Sequence, residues 1–254
     1  MSFLLTRRWR VGATSIVIVL SLLASFIVHS ATASAAGAQA SDGPGDPAYF
    51  DLARKDCLGT AQNNGSKVWF TLADGVLSDV YYPTIDNTNV KTLQYLVSDG
   101  STFTDLQTRD TTYTVSLLDE QALDCRVTST ARNGKYRIVT DYLTDPGHNS
   151  VVMHIHFTAL IGKLADYQLY VRYDPTINGN GGGGASNAGA DSATMDNASG
   201  RAIPVAYDTS TTSTAANRTY ATPVYSALAA SRPFLQASNG FAGAASDGLT
   251  QLTS

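Results

Sequence analysis

Two histidines two residues apart, in the run Val151-Val152-Met153-His154-Ile155-His156-Phe157-Thr158, are the sharpest chemical feature of this sequence. On a strand, positions i and i+2 project from one side, so His154 and His156 could share a metal ion or relay protons. Val151, Met153, Ile155 and Phe157 take the opposite side, which leaves the histidines on the wetter face. A zinc site wants three or four ligands. His148 and Asp141 are the available thirds, but no spacing ties either to the pair. Solvated strand-face histidines are the plainer account, and no metal site is expected.

Carboxylates come next, because hydrolysis of a glycosidic bond needs two of them flanking the scissile oxygen, one acid and one base or nucleophile. Glu120 is the only glutamate in the chain. Asp74, Asp99, Asp145 and Asp247 stand in turn contexts where an aspartate caps its own backbone. No catalytic residue is assigned, and no cofactor either. The glycine run at 181–184 lacks the following Gly-Lys-Ser/Thr and the strand-to-helix setting of a phosphate cradle.

The third candidate is Tyr81-Tyr82-Pro83-Thr84-Ile85-Asp86-Asn87-Thr88-Asn89. Tyrosine rings stack on sugar faces and Asp or Asn fixes hydroxyls, so Tyr81, Tyr82, Asp86, Asn87 and Asn89 could contact carbohydrate. A rigid turn stiffened by Pro83 could equally dock on a neighbouring domain. Docking is the weightier of the two readings. Trp69 reads as core.

The elements that would position these groups are strands. Alternation of period two is cleanest from Thr112 to Leu117. It recurs at Val68 to Leu72, Val76 to Tyr82, Leu93 to Ser98, Cys125 to Thr130, Tyr136 to Leu143, Ser150 to Thr158 and Tyr167 to Tyr173. Asp74-Gly75, Asp99-Gly100, Asn133-Gly134 and Asp145-Pro146-Gly147 supply hairpin turns. No capped helical stripe interrupts Val68 to Tyr173. The expectation is an all-β antiparallel sandwich. From about 177 to 200 the composition turns to Gly, Asn, Ala and Ser, which predicts a flexible surface loop. Beyond it, Ala202 to Tyr207 and Pro223 to Ala229 each suit a strand.

Composition narrows the function classes. With 17 Lys plus Arg against 21 Asp plus Glu and no basic stripe, nucleic acid is not a partner. The N-terminus, Arg7, Arg8 and Arg10 before an apolar stretch from Val11 to Val28 and then ATASAAGAQA, has the form of an export signal over residues 1–36. A secreted, extracellular protein without stable membrane anchoring after signal cleavage is expected, followed by a disordered lead-in at 37–48 and a folded domain from 49. Two cysteines, Cys57 and Cys125, then lie in an oxidising compartment. They are either bridged or two separate buried thiols.

The segments KVWFTLADGVLSDVYYPTIDNTNVKTLQYLVSDG (Lys67 to Gly100), YRIVTDYLTDPGHNSVV (Tyr136 to Val152), LYVRYDPTIN (Leu169 to Asn178) and SALAASRPFLQASNGFAGAASDG (Ser226 to Gly248) resemble the N-terminal domain of bacterial glucoamylases and glucodextranases, glycoside hydrolase family fifteen. The resemblance implies a β-supersandwich of the galactose-mutarotase type, here short of its last strands, and a non-catalytic role. It also implies that the two catalytic glutamates lie in an (α/α)6 barrel of the same polypeptide. That barrel would be the partner, with an α-glucan substrate met only indirectly. The alternative is a free-standing secreted carbohydrate-binding or mutarotase-like protein, in which His154 and His156 would matter.

Overall fold

The structure, a computed structural model, describes residues 54–121, 123–180, 192–198, 200–209 and 223–237. The expected export signal at 1–36, the lead-in at 37–48 and Asp247 lie outside these residues. Among the described residues the chain is built from strands: β1 (Cys57–Thr60), β2 (Trp69–Ala73), β3 (Val76–Tyr81), β4 (Asn87–Ser98), β5 (Thr104–Leu106), β6 (Thr111–Asp119), β7 (Asp124–Ala131), β8 (Tyr136–Thr144), β9 (Val151–Ala159), β10 (Gln168–Asn180), β11 (Ser192–Ala198), β12 (Arg201–Asp208) and β13 (Val224–Ala227). The only helical turns in this set are α1 (Gln107–Asp110) and a 3-10 turn at Leu164–Asp166.

Every pairing is antiparallel. One sheet runs β1-β2-β3-β4-β10 with β5 added to β4, a second runs β6-β7-β8-β9, and a third runs β11-β12-β13. Local chemistry dictates the reversals. Asp74 and Gly75 both take positive φ, 53° and 74°, which is the twist a two-residue hairpin needs between Ala73 and Val76. Gly134, at φ 72°, closes β7 onto β8, and its N–H donates to the Ala131 carbonyl at 2.9 Å.

The first two sheets face each other, because alternation gives each an apolar side that must leave water. Phe70, Leu72, Leu77 and Leu93 meet Cys125, Val127 and Tyr142; further along, Tyr95 and Val97 meet Ala131, Tyr136 and Ile138. A disulfide between Cys57 and Cys125 joins β1 to β7 across this core. Gln107 of α1 bridges the layers too. Its Oε1 accepts from Tyr95 N–H at 3.0 Å, and its Nε2 donates to the Gly75 carbonyl and to Ser129 Oγ, each at 3.0 Å.

The sandwich expected from the sequence is the fold observed. Four details differ. Part of the stretch expected as a loop at about 177–200 is strand, because Ile177 is fully buried and carries β10 on to Asn180, while Ser192–Ala198 form β11 despite their small polar composition. Residues 181–191 between them lie outside the described residues. Asn87 to Asn89, read as turn, open β4 instead, and short β1 and β5 add edges that show no alternation. Trp69 is half-buried rather than core.

The third sheet has its own small core of Ile177, Ala206 and Val224, with Tyr82 and Tyr173 packed against it. Tyr173 and Ser226 also share a hydroxyl hydrogen bond at 2.6 Å.

Candidate functional site

Strand β3 ends at Tyr81 and β4 begins at Asn87, so the polar turn singled out in the sequence spans residues 82–86. Its backbone is closed by Tyr82 N–H to the Asn87 carbonyl (3.0 Å) and Asn87 N–H to the Thr84 carbonyl (3.1 Å), and the Tyr82-Pro83 peptide is cis. Asn87 and Asn89 are buried, at 7% and 3% exposure. The Asn89 amide donates to the Tyr82 carbonyl at 2.8 Å and accepts from Asn178 N–H at 2.9 Å, while Asn87 Nδ2 donates to Asn178 Oδ1 at 3.1 Å. Asn178 sits on β10 at φ 58°, a conformation that asparagine tolerates better than most residues. Three asparagines therefore fasten the turn to a strand about ninety residues away in sequence.

This arrangement divides the candidate residues. The Asn87 and Asn89 side chains are spent inward. Tyr82 and Pro83 are half-buried, with Tyr82 against the Ile177, Ala206 and Val224 cluster. Thr84, Ile85 and Asp86 form the outward tip, with Ile85 59% exposed. Behind the tip, Tyr81 lies beside the buried carboxylate of Asp79, which is paired with Lys55 Nζ at 2.6 Å and accepts from Thr71 Oγ1 at 3.0 Å. Burial, then the Asp79 charge, pushes the Tyr81 hydroxyl up to about 12. Tyr81 keeps its proton at any physiological pH. It can stack and donate a hydrogen bond, but it cannot serve as a base.

The histidine pair lies on the outer face of β9, with Val152, His154 and His156 exposed. Asp141 of β8 is directly opposite His154, with Nδ1 3.7 Å from Oδ2. Both oxygens of Asp141 are already engaged by Arg126, at 2.6 and 2.8 Å, and that guanidinium holds the carboxyl below the usual aspartate range. His148 pairs instead with Asp145 in the turn before β9, at 2.9 Å. Among the described residues, no three His, Cys, Asp or Glu side chains gather as a metal would require.

Asp99 and Asp145, singled out in the sequence, behave as turn residues. Asp99 accepts backbone N–H bonds from Ser101, Thr102 and Phe103 at 3.0, 2.7 and 3.2 Å, and Asp145 accepts from Gly147 at 2.7 Å. Glu120 is exposed at the tip of the β6–β7 hairpin.

Two arrangements escaped the sequence reading. Asn178 was visible only as an Asn-Gly pair after Thr-Ile, a turn signal that the structure uses inside a strand. Tyr207 and Tyr225, cross-strand partners on β12 and β13, stack with ring centroids 5.7 Å apart. Their segments were legible as strands, but their register was not.

Comparison with known proteins agrees with this architecture. Residues 40–254 match the family described as glucodextranase, domain N. A glucoamylase of Clostridium sp. (strain G0005) is 43% identical over 140 residues, which is 55% of this chain and 20% of that protein. A crystal structure of a bacterial glucoamylase complexed with acarbose superposes with a TM-score of 0.53 at 36% identity, over 66% of this chain and 25% of its own. The chain thus spans about a fifth to a quarter of the glucoamylases it matches. With its sandwich, its strand order and a family match over most of its length, this chain belongs to the glucodextranase domain N family.

Proposed function

We propose that the domain is the non-catalytic β-sandwich of a secreted, exo-acting α-glucan hydrolase of the glucoamylase or glucodextranase type, and that it supports a catalytic (α/α)6 barrel in the same polypeptide. The observation that carries this reading is the outward tip Thr84-Ile85-Asp86 on a turn whose every inward group is tied down. A rigid tip with an exposed isoleucine suits docking, since no side-chain entropy beyond its own need be lost when it is covered. The size of the matched glucoamylases leaves ample polypeptide to cover it. Secretion is supported by the N-terminal signal pattern and by the disulfide, a bond found mainly in oxidising compartments.

The test places Ile85→Ser with Asp86→Ala in a polypeptide that carries this domain ahead of its barrel. The substitutions avoid Tyr82, whose ring is part of the third sheet's core. The expected outcome is separation of one melting transition into two, with kcat for glucose release unchanged. An unchanged melting profile with lost glucose release would favour direct substrate contact instead.

A further inference from the structure

Tyr207 and Tyr225 oppose each other on one side of the third sheet, with ring planes 24° from parallel. The other side of the same strands, through Ala206, Asp208 and Val224, is buried toward Ile177, so the tyrosine pair faces away from that core. Tyr225 is 62% exposed, while Tyr207 is half-buried and braces it. Alternation places Ser192, Thr194 and Asp196 of β11 on the tyrosine side, opposite Tyr207, Val205 and Ile203 of β12.

We propose that this face binds a chain of α-linked glucose residues, with Tyr225 as the stacking platform. A pyranose ring presents a plane of C–H bonds that pairs with an open aromatic face and a rim of hydroxyls that needs donors and acceptors. The sheet offers both along one face, with a ring at β13, the Ser192 hydroxyl level with it two strands away at roughly 10 Å, and Thr194 and the Asp196 carboxylate two and four residues further along β11, a spread that suits successive sugars of a chain rather than a single ring. Bracing by Tyr207 holds Tyr225 in place before the ligand arrives, which lowers the entropy lost on binding. A protein partner fits less well, because Tyr225 is the one large ring that stands well out of this face, while Tyr207, Val205 and Ile203 beside it are half-buried. Polyanions fit less well too, given Asp196 and a net charge of −4. The choice of α-glucan over other sugars rests on the function proposed above.

The experiment is native affinity electrophoresis of the whole 254-residue chain in gels containing soluble amylose or dextran. The expected result is retardation by at least one of them. Tyr225→Ala and Tyr225→Thr are each expected to weaken it roughly tenfold or more, the loss typical of a truncated aromatic anchor. Tyr225→Phe, which keeps the ring, and Tyr113→Ala on the second sheet should bind as the parent does. Tyr225→Thr preserves strand propensity, so a loss seen in both truncations with unchanged circular dichroism belongs to the ring. The proposal is overturned if neither polymer retards the parent chain, or if a folded truncation is retarded as strongly as the parent. No barrel enters this assay and no residue of the 82–86 turn is substituted in it, so its failure leaves the supporting role untouched, and a failed docking test leaves the binding result standing.

Discussion

The clearest statement this domain makes at the level of single side chains is that its ionisable groups are structural. Asp105 illustrates it. It is buried in the middle of β5, where it accepts from Tyr136 Oη at 3.1 Å and Asn133 Nδ2 at 2.9 Å, and burial raises its pKa, with the Asp110 charge adding to the effect. A carboxyl whose folded pKa is raised costs the fold stability when ionised; that cost is present above the folded pKa and is relieved as pH falls through it. Asp105→Asn is neutral throughout and keeps an acceptor. The variant should therefore gain on the parent most at neutral pH, and the difference in Tm should shrink toward pH 4; thermal melts from pH 4 to 8 read it directly, and a difference that is constant with pH would remove the electrostatic account. Asn89 makes the complementary case. Asn89→Ala would strip a buried donor from the Tyr82 carbonyl and a buried acceptor from Asn178 N–H, leaving both without their partner, at a cost of about 2–3 kcal/mol in chemical denaturation.

Between elements, the disulfide is the covalent tie, joining β1 at one edge of the first sheet to β7 inside the second across a sequence separation of 68. In the chain-entropy treatment a loop of that size is worth about 4 kcal/mol. Replacing Cys57 and Cys125 together by alanine should therefore lower Tm by roughly 10 °C in a domain of this size. Melting with and without a thiol reductant should show the same shift in the parent and none in the variant. How much of this was legible in the sequence follows from which faces get wet. On β8 and β9 one side meets solvent and alternation survives, so Tyr136 to Leu143 and Ser150 to Thr158 were readable almost to the residue. On β4 both sides are covered along most of twelve residues, so polar Asn87, Thr88, Asn89 and Gln94 are buried beside Leu93 and Tyr95, and only the apolar second half looked like a strand. In β11 the small residues Ser192 and Ala193 carry almost no pattern, and pairing to β12 decides their conformation. The polar turn was legible as rigid. That two of its asparagines point inward was not, because their partner is Asn178 on a strand far away in sequence.

Taken as a whole, the described structure is unequal in its cohesion. The first two sheets share a core that includes fully buried Phe70, Leu72, Tyr95, Cys125, Tyr136, Ile138 and Tyr142, with Gln107 and the disulfide bracing the layers. The third sheet rests on Ile177, Ala206 and Val224, helped by Tyr82, Tyr173 and one hydroxyl bond to Ser226. Apolar burial is the main favourable term in folding, at roughly 25 cal/mol per Å², so the smaller contact should open at lower free energy than the sandwich. Hydrogen exchange followed by mass spectrometry should then show two tiers, with amides of β11–β13 exchanging well before those of β7, β8 and β4. The 82–86 turn stands at the junction of the tiers, because Tyr82 packs on the third sheet while Asn87 and Asn89 belong to the first. Covering Ile85 with a partner should therefore slow exchange in the third sheet more than in the sandwich, since the turn can hold the weaker layer against the stronger one. Uniform protection across all three sheets in the isolated chain would contradict this ordering and would mean that the third sheet unfolds only with the rest.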